Sequence, residues 1–306
     1  MMSDQAKGVA AMVAAAVIWG LSPIFYKHLS HVPALEVLSH RMIWSLVLFL
    51  LVLGVQNRLR ELWQAVNSAR SIAIFMVASV MISANWALFI WSVQVGQTTQ
   101  TSLGYYIYPL VAVLIGRMIF SETLSRAQWY AVLLAALAVM LLTYGLGAAP
   151  WVALVLAATF GLYGMIKKQL DVGPVVSVTV EVLLLAPVAV ILLLQTRHNG
   201  AAVFGGDPAT FGLLVLSGPL TALPLILFSY AARRLAMATV GLLQYINPTL
   251  QFGCAVFLFG EPFGHWHMAA FALIWTALAI YSVSRFGQDR ARRRASRAAA
   301  ASGTIV

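Results

Sequence analysis

From residue 8 to residue 284 the chain is a succession of apolar stretches, each about twenty residues long and closed by a few polar, glycine or proline positions. At 1.5 Å per residue, ~20 apolar residues match a hydrocarbon core of ~30 Å. The pattern predicts ten transmembrane helices, near residues 8–27, 35–55, 71–94, 98–119, 126–146, 150–168, 174–195, 209–232, 239–259 and 263–284. Pro33, Pro150, Pro174, Pro208 and Pro262 fall at helix starts, where a missing N–H costs nothing. The segment before Lys7 is too short and polar for a signal peptide, so the first helix is read as retained. The expected class is an all-α integral membrane protein.

The second half repeats the first. Tyr106-Ile107-Tyr108-Pro109 lines up with Tyr245-Ile246-Asn247-Pro248, and the same offset of 139 places Phe120-Ser121-Glu122 on Phe259-Gly260-Glu261 and Leu88-Phe89 on Leu227-Phe228. At an offset of 141, Gly20, Lys27, Leu29 and Pro33 fall on Gly161, Lys168, Leu170 and Pro174. A duplicated unit of five helices is odd-numbered, so its second copy enters the membrane upside down. The expected organisation is one five-helix repeat over 1–146, an inverted repeat over 147–285 and a basic tail over 286–306. Inverted repeats are typical of secondary transporters, which open to either side by rocking one group of helices on another. A duplicated bundle with no transport role is the structural alternative.

Composition agrees with a lipid solvent: 61% of residues are hydrophobic and 9% charged, against roughly a quarter charged in soluble domains. The net charge of +10 is scattered through loops, which argues against a nucleic-acid surface. Its one cluster, Arg290, Arg292, Arg293, Arg294 and Arg297, follows the last span and is expected against anionic lipid headgroups. With the N-terminus inside, Lys7, Arg58, Arg60, Arg70, Arg117, Arg126, Lys167, Lys168, Arg233 and Arg234 are cytoplasmic, while only Lys27 and Arg197 lie outside. That bias places both termini in the cytoplasm. Cys254 is the single cysteine, so no intrachain disulfide forms.

Several stretches carry a family resemblance. Ile18-Trp19-Gly20 with Phe25-Tyr26-Lys27, His40-Arg41-Met42-Ile43-Trp44-Ser45, Asn85-Trp86-Ala87-Leu88-Phe89-Ile90-Trp91, Ser102-Leu103-Gly104-Tyr105 and Gln244-Tyr245-Ile246 before Pro248-Thr249-Leu250 resemble the RarD type of the EamA-domain family, within the drug/metabolite transporter superfamily. The resemblance implies a ten-helix inner-membrane permease with a central cavity, acting as an exporter, and a family name tied to chloramphenicol sensitivity. Tyr108 departs from the pattern, which has a smaller polar residue there, as Asn247 is in the second copy.

Ionisable groups inside a bilayer need a partner, water or a function. Glu181 is the acid flanked by long apolar runs on both sides, Arg41 is the basic residue within a span, and His40 stands beside it. The repeat places His40 on Glu181, with roughly 10 Å between their expected depths. Arg41 is a candidate fixed charge in a pathway, and Glu181 and His40 are candidate proton carriers. A buried ion-pair network that fixes packing is the alternative. Asn85, Trp86, Tyr105, Tyr106, Tyr108, Gln244, Tyr245 and Asn247, with Gln94 nearby and Trp19 and Tyr163 to complete it, offer an aromatic, hydrogen-bonding lining for an organic solute. Taken singly, each is more readily interhelical glue; together, their clustering around Pro109 and Pro248 favours a cavity.

Glu122 and Glu261 end corresponding spans and are read as capping or loop groups. The outer histidines His28, His31, His265 and His267 lack carboxylate or cysteine companions, so no metal is expected; nor is a cofactor. No phosphate loop, nucleophile triad or dinucleotide fingerprint is present, which excludes ATP hydrolysis by this chain. The expected function is a secondary transporter of small organic metabolites or drugs, with a proton gradient as the candidate driver of export. An uncoupled facilitator or channel, a membrane enzyme acting on a lipid-linked substrate and a non-transporting sensor are the alternatives. Expected partners are the substrate and membrane lipids, with the chain as a monomer or homodimer.

Overall fold

The computed structural model describes residues 3–120, 124–167, 169–199, 207–235 and 237–301. Among these every regular element is helical: α1 (Asp4–His28), α2 (Ala34–Val55), α3 (Arg60–Ala65), α4 (Ala69–Gln94), α5 (Thr98–Phe120), α6 (Arg126–Leu146), α7 (Trp151–Lys167), α8 (Pro174–His198), α9 (Pro208–Ala232), α10 (Met237–Gln244), α11 (Ile246–Gly253) and α12 (His265–Ala301), with a π-helical turn at Cys254–Leu258. Glu122, Lys168 and the side chains of Arg290, Arg292, Arg293, Arg294 and Arg297 lie outside the described residues.

Local chemistry starts the helices. Ser3, Ser68, Ser125 and Asp207 each accept an N–H from the first turn of the helix they precede, which satisfies a donor that would otherwise face the membrane unpaired. Ser125 and Gln128 form a reciprocal capping box, and Gly147 closes α6 in the left-handed conformation at φ 68°. The short α3, unheralded by any long apolar run, tucks Leu62 and Ala65 inward and leaves Trp63 exposed.

Seven helices, α1, α2, α4, α6, α8, α9 and the Ser284-terminated part of α12, are long and apolar enough to cross a membrane. The α7 helix is apolar but has 17 residues, and α5 has a polar first turn and three tyrosines. The stretch expected as one helix over 239–259 is broken at Tyr245 and widened into the π turn. Pro248 explains the break, because its missing N–H leaves the carbonyl four residues earlier, on Gln244, without a donor. Leu51, Val55, Leu133, Met140, Ile191 and Leu194 stand exposed on outer faces, as a lipid-facing belt requires.

Small residues set the helix pairs. Along α5 and α7, Gly104 meets Ala153 and Leu156 while Gly161 meets Ala112 and Ile115, so the two helices run parallel. Gly8 meets Leu235 and Gly20 meets Asn247 and Leu250, which sets α1 parallel to α10 and α11. A Cβ at Gly20 would sit 2.7 Å from that of Leu250. In contrast, α6 and α12 are antiparallel, with Gly145 against Trp266 at one end and Ser125 facing Ser284 at 3.3 Å at the other. Two main cores result: one draws on α1, α2, α3, α4, α7, α8 and α9, the other on α5, α6, α7 and α12. Each core therefore mixes helices from both halves of the chain.

Candidate functional site

The α8 helix begins at Pro174, and two turns in it carries Glu181, 2% exposed. Ser177, one turn earlier on the same face, donates to Glu181 Oε1 at 3.0 Å. From α7, Tyr163 donates to Oε2 at 2.8 Å, and Lys167, four residues further on, reaches Oε1 at 2.9 Å and the Tyr163 hydroxyl at 2.8 Å. Two i,i+4 pairs on two helices thus build one ion pair in which both carboxylate oxygens are engaged. Glu181 was expected to approach His40 and Arg41; it takes Lys167 instead. The lysine's four-carbon stem reaches the carboxylate from the end of α7. Lys167 had been counted only as a cytoplasmic charge.

Arg41, 6% exposed, projects from α2 among aromatic rings. Its guanidinium carbon lies 4.2 Å from the ring centroid of Trp86 on α4 and 5.8 Å from that of Tyr26 on α1. Tyr26 in turn faces Thr221 of α9. Among the described residues no carboxylate comes within 4.0 Å of Arg41, and its Nε has no hydrogen-bond partner. The indole N–H of Trp44, one turn along α2, is likewise buried without an acceptor. A desolvated cation–π contact returns about 2 kcal/mol, less than the several kcal/mol that burying an ion costs. His40, 4% exposed, is buried next to Arg41 in the chain.

Asn85 on α4 is fully buried and joins three helices: its amide donates to Leu156 O at 3.0 Å and Thr159 Oγ1 at 2.9 Å, and its oxygen accepts from Tyr105 at 3.0 Å. The packing reading fits it. Where α5 crosses the broken α10–α11 segment, Tyr106 bonds Thr249 at 2.7 Å, Tyr108 donates to Gln244 at 3.3 Å, and Tyr245 stacks on Tyr106 with centroids 6.4 Å apart. Asn247 is occupied by Gln251 of its own helix at 2.8 Å.

Phe160 of α7, unremarked in the sequence, connects these groups. Its ring lies 5.8 Å from Tyr105, 5.0 Å from Tyr108 and 6.1 Å from Tyr163. Trp86, Tyr105, Tyr108, Phe160, Gln244 and Tyr245 all stay partly accessible. The centre is thus lined by aromatic rings in contact, and two hollows on the molecule lie on its outside, at Ser3–Ala10 and between Ala127 and Ala279–Ser284. Trp19 stands apart from this centre against Phe228, 6.1 Å between rings.

One end of the bundle is closed by polar contacts. Glu261, 9% exposed, accepts from the backbone N–H groups of Thr98 and Thr99 at 2.7 and 2.6 Å and from Thr99 Oγ1 at 2.8 Å, capping α5 from a distant part of the chain. Beside it Gln94 donates to Leu29 O and Val32 O at 2.9 and 3.0 Å, so it seals a loop rather than lining the centre.

A profile of the EamA-like transporter family matches residues 6–144, from the first helix to the last turn of α6. An "Uncharacterized transporter" of Vibrio cholerae is 38% identical, covering 95% of this chain and 97% of the relative. "Protein RarD" of Escherichia coli K12 is 37% identical, covering 90% and 93%. The chain belongs to the EamA family, RarD type. A further RarD relative, the "Chloramphenicol-sensitive protein RarD" of Pseudomonas aeruginosa, is 31% identical over 95% of this chain and 99% of its own. One crystal structure, at 12% identity, aligns over 89% of this chain and 96% of its own with a TM-score of 0.56, a likeness of fold alone. Membership in the EamA family, together with seven helices of spanning length, makes this RarD-type chain a multi-pass membrane protein of a transporter family.

Proposed function

We infer that the chain is a secondary transporter of small organic metabolites or drugs, exporting them across the cytoplasmic (inner) membrane by alternating access between two inverted five-helix repeats, 1–146 and 147–285. The observation that carries this reading is the reciprocity of the helix pairs. The fourth span of the first copy, α5, lies parallel to the first span of the second, α7; the first span of the first copy, α1, lies parallel to the fourth of the second, α10–α11. A two-fold axis in the membrane plane would exchange these pairs and map α6 on α12 and α2 on α8, pairs that also pack together. With this axis α5 and α10–α11 are the mobile elements, ten spans are counted, and both termini fall in the cytoplasm, where the basic tail meets lipid headgroups.

The pathway is assigned to the aromatic and polar groups around Phe160: Arg41, Trp86, Tyr105, Tyr106, Tyr108, Tyr163, Gln244 and Tyr245, with Trp19, Asn85 and Asn247 as supports. Proton coupling is assigned to Glu181, whose ion pair with Lys167 is lost when the carboxylate takes a proton, with His40 as the second candidate. The test is an untargeted metabolite comparison of cells lacking and overproducing the protein, followed by counterflow of the responding compounds in proteoliposomes, with chloramphenicol included. A transporter shows counterflow; Glu181→Gln should abolish proton-driven flux and preserve exchange. Flux without counterflow assigns a channel, and no flux of any compound overturns the reading.

A further inference from the structure

We propose that Arg41, with Trp44 one turn along α2, forms a recognition site for a small organic monoanion, a carboxylate carried on a planar aromatic or apolar body. This rests on the transporter reading above and names its substrate class. Arg41 is 94% buried, lacks a carboxylate within ion-pair distance among the described residues, and keeps Nε without a hydrogen bond. Glu181, the acid of the neighbouring α8, is committed to Lys167, Tyr163 and Ser177. Glu36, on the first turn of α2, lies five residues from Arg41, about 7.5 Å along the helix and outside ion-pair distance. Arg41 therefore has no ion-pair partner among the described residues.

A second donor points to the same ligand chemistry. Trp44 follows Arg41 by three residues, on the same face of α2, and its indole N–H is buried without an acceptor. Two unfilled donors a turn apart, one of them charged, are complementary to the two oxygens of a carboxylate, which the planar guanidinium fork binds in two places. A phosphate dianion asks for more positive charge than Arg41 supplies. Trp86 and Tyr26, which already flank the guanidinium, and Tyr105, partly accessible beside Asn85, offer faces for a planar body.

The experiment measures binding to the purified full-length protein in nanodiscs, using 3-phenylpropionate and indole-3-acetate, each beside its uncharged primary amide. Wild type should bind an acid roughly tenfold or more tightly than its amide, and Arg41→Met should bring the acid down to the amide's affinity while the amide moves less than about threefold. Trp44→Phe, which removes only the N–H, should weaken the acid several-fold and leave the amide alone. It carries the test, with Arg41→Lys, should Arg41→Met not fold. Equal binding of acid and amide by wild type, saturable binding of neither acid, or an acid preference surviving in Arg41→Met overturns the proposal. Counterflow of a neutral compound with no acid preference would sink the anion site and leave transport standing, whereas acid binding that obeys these rules without any flux would do the reverse.

Discussion

Lys167 and Glu181 show how a buried charge is stabilised where water is absent. Removing one partner leaves the other uncompensated, so Lys167→Met should lower stability by about 3 kcal/mol. Lys167 retains 21% of its side-chain exposure, which moderates the loss. The double variant Lys167→Met/Glu181→Gln should be less destabilised than the sum of the single changes, read as a coupling in thermal unfolding of the detergent-solubilised protein. Additive effects would mean that the pair contributes nothing as a pair. Asn85→Leu deletes two donations and one acceptance in a dry three-helix junction and should cost ~2 kcal/mol. This pairing of polar groups was the least legible part of the sequence. Arg41 and Glu181 stood out because charge inside an apolar run is rare. Lys167, at a helix end, read as an ordinary loop charge, and Phe160 is chemically indistinguishable from a packing residue until its neighbours are known.

At the scale of elements, the all-helical character was legible, because hydrocarbon forces each span to satisfy its backbone internally, and seven of the expected segments stand as helices of spanning length. The break at Tyr245 was only half legible: Pro248 marks a weakened carbonyl, yet Pro109 in the matching position is carried inside an unbroken α5. The difference lies in tertiary support. The start of α5 is held by Glu261, and on α5 Tyr108 donates to Gln244 at 3.3 Å and Ser102 to the Pro248 carbonyl at 2.8 Å, so the two segments are tied to each other on either side of the break. Glu261→Ala should free the Thr98 and Thr99 amides and raise their hydrogen exchange roughly tenfold, with about 1–2 kcal/mol of stability lost. Protection unchanged at those two amides would refute the cap. Gly104→Val should be worse tolerated than any exposed change on α5, since a Cβ there meets the Ala153 carbonyl at 2.8 Å; loss of monodisperse protein in size-exclusion chromatography is the expected outcome.

For the whole molecule, the internal repeat was legible as sequence, but the way its copies share apolar surface was not. The two halves look like tandem units when read along the chain, yet each core recruits helices from both. Residues 1–146 alone would leave the inner faces of α1, α2, α4, α5 and α6 facing lipid or one another, so neither half expressed by itself should give folded protein. Co-expressed halves should assemble, because only one connection, at residues 147–150, is cut between them. Recovery of either half as a stable, monodisperse species would contradict the shared cores.

The α12 helix does not stop where its apolar stretch does; it continues for 37 residues as one rod of ~55 Å. Roughly half of that length lies past Ser284, so a tilt of about twenty degrees about the end of its anchorage on α6 would swing the far end by ~9 Å. A fluorophore attached near Ala301 therefore acts as the tip of a lever, turning ångström-scale rocking within the bilayer into a displacement large enough for single-molecule distance measurements.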